Sequence, residues 1–190
     1  MRIDSDIDID FGRRDDILKH ITHVRASMHS VKPHRPHNTG VYVSDVPYDP
    51  INDICAIDYN EAEKRGYFKL DFLNVHVYED VRDEQHLTEL MKNPDWSKLN
   101  DQSFVETLIH LNNHYATMKK MPEPIDSIPR LAMFLAVIRP GKKHLIGKKW
   151  YEVGREVWDK GTDGYTFKQA HAIAYAHLVV VHMNLLGEKK

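Results

Sequence analysis

The stretch Ile3-Asp4-Ser5-Asp6-Ile7-Asp8-Ile9-Asp10-Phe11 decides the fold class. Ile3, Ile7, Ile9 and Phe11 fall on one parity, and Asp4, Asp6, Asp8 and Asp10 fall on the other. That is the period of a half-buried β-strand with every carboxylate on one face. Asp is a poor strand former, so four in alternation need compensation from their surroundings. Downstream, Ile17, Ile21, Val24 and Met28 recur at helical spacing and predict a helix over roughly 13–29. Pro33, Pro36, Asn38 and Gly40 read as a loop before a short strand, Val41-Tyr42-Val43, and Pro47 and Pro50 break the chain again.

A second alternating stretch, Tyr67-Phe68-Lys69-Leu70-Asp71-Phe72-Leu73, puts Phe68, Leu70 and Phe72 on one face and Lys69 with Asp71 on the other. Beyond it the pattern turns helical. Phe104, Leu108, Leu111 and Tyr115 form one apolar stripe, and Ile128, Leu131, Leu135 and Ile138 form another. Arg139-Pro140-Gly141 ends the second helix, because proline and glycine both disfavour its continuation. A last helix, about 168–186, is apolar on most sides. The expected fold is therefore α+β: a small mixed sheet with helices over 1–75, followed by a mainly helical lobe over 76–190.

Composition narrows the function classes. The chain has 190 residues, 42% of them hydrophobic, which suits one domain or a domain with a lobe and is too apolar for a disordered chain. A single cysteine, Cys55, excludes a disulfide framework and a zinc site built on thiolates, and reads as a small buried hydrophobe. No apolar run approaches the ~18 residues of a membrane span, and Met1-Arg2-Ile3-Asp4 does not begin a signal peptide. These features predict a cytoplasmic protein without a membrane partner. The net charge of −2 argues against a wholly basic nucleic-acid binder, but it is the sum of an acidic start and a basic stretch over 139–149. That stretch holds Arg139, Lys142, Lys143, Lys148 and Lys149 with no acid among them, which suits a triphosphate or a nucleic-acid backbone.

Two strand residues apart, the Asp8 and Asp10 Cα atoms lie about 6.5–7 Å from each other. Carboxylates so placed repel unless cations intervene. Two Mg²⁺ or Mn²⁺ ions ~3.5–4 Å apart, shared with substrate phosphates, resolve that repulsion in phosphoryl-transfer sites. Asp71, with Lys69 beside it, is the candidate for a third carboxylate from a neighbouring strand. The alternative is a set of solvated residues on an open sheet face. Among the thirteen histidines, the pairs His20/His23 and His34/His37 have His-x-x-His spacing, and with the aspartates they would suit a metal-dependent phosphoesterase or nuclease.

The order of motifs carries more than any single one. Ser5-Asp6-Ile7-Asp8-Ile9-Asp10-Phe11, followed by Arg13-Arg14, resembles the palm motif of the bacterial replicative DNA polymerase III alpha subunits, the C-family polymerases. His37-Asn38-Thr39-Gly40-Val41-Tyr42-Val43-Ser44 is similar to that family's His-Ala-Gly-Gly-Val-Val-Ile segment. Gly66-Tyr67-Phe68-Lys69-Leu70-Asp71-Phe72-Leu73 is similar to its Gly-Leu-Val-Lys-Phe-Asp-Phe-Leu motif. Ile138-Arg139-Pro140-Gly141 matches its Tyr-Arg-Pro-Gly turn, and Gly164-Tyr165-Thr166-Phe167-Lys168-Gln169-Ala170-His171-Ala172 resembles its Gly-Phe-Asn-Lys-Ser-His-Ala segment.

The resemblance implies a polymerase-beta-like nucleotidyltransferase palm and a fingers-like lobe, in a compact protein of phage or mobile-element type. It implies Asp8, Asp10 and Asp71 as catalytic and metal-binding aspartates, with Lys69 beside them and two Mg²⁺ or Mn²⁺ as cofactors. Arg139 and His171 take positions that face an incoming triphosphate, and His37 and the lysines at 142, 143, 148 and 149 join them in contacting nucleotide or DNA. The implied partners are primer–template or single-stranded DNA, a dNTP and a replisome protein. Two activities stand beside each other: nucleotidyl transfer, alone or with a partner, and a non-catalytic replisome adaptor or decoy.

Departures from the family pattern matter too. The family's phosphate loop with its Gly-Ser pair, its thumb and its clamp-binding tail have no counterpart, so the expectation is a miniature palm with a fingers remnant. The family's Lys-Ser before the histidine is Gln169-Ala170 here, and Lys168 stands one position early. On a continuous helix that offset turns its side chain about 100° away.

Overall fold

The computed structural model describes residues 7–28, 34–159 and 167–189, without the side chains of Ile7 and Asp8. It is a mixed α+β protein with a small mixed sheet and several helices, divided between Asp80 and Val81 into two compact units.

In the first unit, β1 (Ile7–Phe11) leads through Gly12 into the short helix α1 (Arg14–Leu18). The chain continues through β2 (Val24–Met28), β3 (Arg35–Tyr42), the two-residue strands β4 (Tyr48–Asp49) and β5 (Ile54–Cys55), α2 (Tyr59–Lys64) and β6 (Leu70–Asn74). The four-stranded sheet has the order β1-β6-β3-β2. β1 runs parallel to β6, β6 antiparallel to β3, and β3 antiparallel to β2. Ile9, Phe11, Leu70, Phe72 and Val41 share one face with Ile17 and Leu18 of α1, and the Phe11 and Phe72 rings stack at 5.6 Å between centroids. A second small cluster gathers Ala26, Tyr42, Cys55 and Ala62, and Cys55 is fully buried there with its thiol pKa raised by burial.

Two expectations for this unit need correction. Residues 13–29 do not form one helix: α1 stops at Leu18, and Val24-Arg25-Ala26-Ser27-Met28 pairs with β3 as a strand. His20 therefore lies in the turn after α1 and His23 just ahead of β2, rather than one helical turn apart on a common face. The segment around Pro36 is not a loop but the first half of β3. It tolerates proline because β6 pairs only with Gly40 and Val41, which leaves Pro36 paired on one side alone.

The β2–β3 ladder also contains a large bulge. Val24 and Arg25 pair with Tyr42 and Val41, whereas Ser27 and Met28 pair with Pro36 and Arg35. Ala26 thus faces the whole run His37-Asn38-Thr39-Gly40. Extra residues on one strand bend it and re-aim its side chains.

The second unit contains α3 (Glu84–Leu90), α4 (Gln102–Val105), α5 (Tyr115–Met118), α6 (Ile128–Val137), α7 (Trp150–Glu156) and α8 (Gln169–Glu188). Its core joins Leu108, Leu111, Leu131, Phe134, Leu135, Val153, Ala172, Val179 and Met183, with α6 packed along α8. Asp83 and Asp101 cap α3 and α4 by accepting backbone N–H bonds. The stripe Phe104–Tyr115 is not one helix. His110 and Asn113 adopt φ of 62° and 66° and break it into α4, a series of turns and α5. α6 ends as expected at Ile138, where Arg139 turns extended ahead of Pro140. α8 is by length and composition long and apolar enough to cross a membrane, contrary to the sequence expectation. Its buried residues, among them Ala172, Ala176, Val179, Val180 and Met183, belong to the core of this unit.

Candidate functional site: an aspartate face and a cation–aromatic nest

Each unit carries a group of polar side chains that the sequence singled out. In the first, the parallel register sets Asp8 opposite Asp71 and Asp10 opposite Leu73. Neighbouring strands lie ~4.8 Å apart, so the backbones of Asp8 and Asp71 are immediate neighbours. Asp10 is exposed, two residues further along β1. It lies close enough to Tyr78 to help raise the pKa of that phenol, an effect led by burial.

Asp71 is 6% exposed, the only buried carboxylate among the described residues of the unit. Its Oδ2 pairs with the Lys69 ammonium, itself largely shielded, and its Oδ1 accepts the Thr39 hydroxyl proton at 2.7 Å. His37 approaches Oδ1 to 3.7 Å, but its Nδ1 already accepts the backbone N–H groups of Thr39 at 3.2 Å and Gly40 at 2.9 Å. An Nδ1 that accepts two N–H bonds carries no proton, so His37 pins the bulge instead of donating to Asp71. Its ring also meets Tyr59 edge-on at 5.3 Å. The bulge requires glycine at its end: a Cβ on Gly40 would sit 2.7 Å from Lys69 Cδ and 3.0 Å from His37 Nδ1. The β3 insertion therefore delivers Thr39 to Asp71 and leaves the passage through which Lys69 reaches it. Thr39 is absent from the sequence-based set, because a lone threonine in a turn gives no signal without the bulge. Among the described residues, which exclude the Asp8 side chain, no three His, Cys, Asp or Glu side chains converge as a metal cage.

In the second unit, Arg139 lies over the Phe167 ring at 4.6 Å from its centroid. His171 meets the same ring edge-on at 5.4 Å and touches Tyr175 at 4.1 Å, while His110 stacks on Tyr175 at 4.3 Å. Arg139 Nε is buried without a hydrogen-bond partner. The His110 pKa is held below its ordinary value by burial first, then by Arg139 and His171. His114 is lowered likewise, by burial, Arg139 and Lys143, against a smaller opposing pull from Glu106. The motif resemblance pointed to Arg139 and His171 but not to His110, which reaches the nest because its positive φ reverses the chain.

The basic stretch splits. Lys142 Nζ donates to the Glu156 carbonyl at 2.8 Å, Lys148 pairs with the Glu156 carboxylate at 3.3 Å, and His144 lies 3.7 Å from that carboxylate. α7 thus supplies the acid that the stretch itself lacks. Lys143 and Lys149 are exposed, and the Lys149 backbone N–H donates to Glu152 at the start of α7. Lys168 stands at the position just before α8 with an extended ψ of 139°, so the helical offset argued from sequence does not apply to it. Tyr165 lies outside the described residues. The chain matches no protein-family model, no curated protein and no solved structure.

Proposed function

We propose that this chain is a compact relative of the palm and fingers of the bacterial DNA polymerase III alpha subunits, binding divalent metal and nucleotide or primer–template DNA for nucleotidyl transfer. One observation carries the reading: Asp8 and Asp71 are register partners on adjacent parallel strands, with Asp10 two residues on. The five motifs in the family's order support it, and on this reading the four-stranded sheet is a reduced polymerase-beta-like palm.

The donor set fits a hard cation, since carboxylate oxygens are the ligands Mg²⁺ prefers. Asp8, Asp10 and Asp71 would hold it, and the Lys69 ammonium already occupies the electrostatic role of a cation at Asp71 Oδ2. When bound, two Mg²⁺ or Mn²⁺ ions would acidify an attacking 3′-hydroxyl and stabilise the leaving pyrophosphate. The chain's own residues do the remainder. Thr39 and Lys69 fix the Asp71 carboxylate in one orientation. Arg139, seated on Phe167 with an uncommitted Nε, is a cation with spare donor capacity for a phosphate oxygen.

The test is Mg²⁺- or Mn²⁺-dependent incorporation of labelled dNTP on a primed template, with a partner-containing extract added in a parallel arm. Wild type is expected to incorporate, and Asp10→Asn and Asp71→Asn to lose at least about 100-fold, the scale at which electrostatic groups act on transition states. Incorporation unchanged by both substitutions removes the catalytic reading. A second reading, a non-catalytic replisome adaptor, is favoured by one fact: both Asp71 oxygens are already engaged by protein groups, Thr39 and Lys69. No incorporation in either arm, with retention of replisome proteins by the immobilised chain, selects it.

A further inference from the structure

On the first unit, a cleft of about 660 Å³ opens between α1, the start of β2 and the ends of β3's bulge and β6. Its walls carry Arg14, Lys19, His23 and Arg25, with Asn38 and Asn74 behind them and Asp15 as the single carboxylate. Three permanent cations against one acid make this a positively charged depression in a chain whose net charge is −2.

The cations are not equivalent. Arg14 is 8% exposed and immobilised from two sides: its backbone N–H donates to Asn74 Oδ1 at 2.8 Å, and its Nη1 donates to the Asn38 carbonyl. Its Nε is buried with no hydrogen-bond partner, and the nearest acid, Asp15 Oδ1, stands 3.7 Å away. A buried guanidinium donor left unmatched is costly, and a bound anion beside it is one of the few things that offset that cost. Arg25 and Lys19 are exposed; Lys19 is held at 2.8 Å by Asp16, a solvent-facing pair that exchanges easily for another anion. His23 Nδ1 donates to the Ile21 carbonyl at 2.7 Å, which fixes its ring against the cleft wall.

Position ties the cleft to the aspartate face. Arg14 follows the last residues of β1, Asn74 ends β6, and Asn38 sits in the bulge next to Thr39, whose hydroxyl holds Asp71. Ligands in open sheets collect at the carboxyl ends of parallel strands, where β1 and β6 both terminate here.

We propose that this cleft binds phosphate oxyanions, with Arg14 as the fixed anchor and Lys19 and Arg25 as the outer contacts. Two sources share that chemistry: the triphosphate of a nucleotide and the backbone of single-stranded DNA. The proposal stands on the cleft's own groups and requires no turnover, so a failed incorporation assay leaves it intact and its own failure leaves nucleotidyl transfer untouched.

Binding to the full chain is measured by anisotropy with a labelled single-stranded oligodeoxynucleotide, and by calorimetry with dATP and with tripolyphosphate. The Lys19→Gln/Arg25→Gln double variant removes two exposed charges, and Lys92→Gln/Lys120→Gln removes two exposed charges from the second unit as a matched control. Expected is a loss of at least about 10-fold in the cleft variant alone, and for the oligonucleotide a salt slope reduced by about two. Loss with the oligonucleotide but not dATP assigns the cleft to the backbone, and the reverse assigns it to the triphosphate. Equal binding by wild type and cleft variant, equal loss in the control pair, or no binding of any of the three probes by wild type overturns the proposal. Arg14→Lys, checked for an unchanged unfolding midpoint, keeps the charge but not the fork, and is expected to weaken binding where Arg14 is the anchor.

Discussion

The two units solve the same problem, holding charge in a folded chain, in opposite ways. In the first, Asp71 and Lys69 are drawn into the protein and satisfied by each other, by Thr39 and by a bulge that His37 pins from within. In the second, Arg139 and His171 rest on aromatic rings at the margin of a large apolar core. The buried Asp71 and Lys69 charges are paired with each other, whereas a ring face accepts a cation with its hydrogen bonds left open. The first arrangement fixes geometry, and the second keeps donors available.

Substitutions can break that contrast. Phe134 is fully buried in the second unit, and Phe134→Ala is expected to cost about 4 kcal/mol through lost transfer energy and a cavity. All three tryptophans, Trp96, Trp150 and Trp158, lie in that unit, so urea unfolding followed by their fluorescence reads it directly. A loss below about 1 kcal/mol would show that the apolar core is not what holds it.

In the first unit the expectation falls on charge. Asp71→Ala strands Lys69 and is expected to cost about 3 kcal/mol, while Lys69→Met with Asp71→Leu restores most of it. Amide exchange in β6 measures both, and an unrescued double variant would mean that the pair does more than neutralise itself. Gly40→Ala tests the passage rather than the pair: its Cβ displaces Lys69 and should reproduce part of the Asp71→Ala loss.

A smaller effect tests a buried donor of the first unit that has no hydrogen-bond partner. The Tyr42 hydroxyl is buried without a partner and its pKa is driven upward chiefly by burial, so Tyr42→Phe is expected to stabilise by about 1 kcal/mol. The smallest is a pH effect. His110 and His114 titrate below their ordinary value in the folded chain and near 6.5 unfolded. Between those values the unfolded state binds more protons, so this contribution is complete above about 6.5 and is lost as the pH falls towards the folded value. Thermal midpoints between pH 7.5 and 5.5 should fall less for His110→Asn, which keeps a residue tolerant of positive φ. An equal fall would assign the sensitivity elsewhere.

The sequence showed what depends on periodicity. Alternation marked β1 and β6, the 3.6 period marked α6 and an apolar run marked α8. Asp8, Asp10 and Asp71 lie on the strands so marked, whereas the strand expected from Tyr67 begins only at Leu70 and leaves Lys69 just ahead of it. It misled where one spacing serves two structures. Ile17, Ile21, Val24 and Met28 suit a helix, yet Val24-Arg25-Ala26-Ser27 also alternates, and pairing with β3 decided the matter. Phe104 to Tyr115 kept a helical stripe while His110 and Asn113 reversed the backbone beneath it. Thr39, His110 and the counterion Glu156 were illegible because each acts through a contact that only folding creates.

The β3 bulge has one more consequence. The pairings on its two sides differ in offset by three residues: Val24 with Tyr42 on one, Ser27 with Pro36 on the other. Excising Asn38, Thr39 and Gly40 would bring both halves into a single frame and give an unbroken hairpin. The sheet could then close without the hydroxyl that reaches Asp71 or the gap that admits Lys69. Those three residues are an insert the ladder does not need, so scaffold and chemistry are written in separable letters, and shortening β3 by a single triplet of residues is expected to silence the aspartate face while sparing the strand pairing around it.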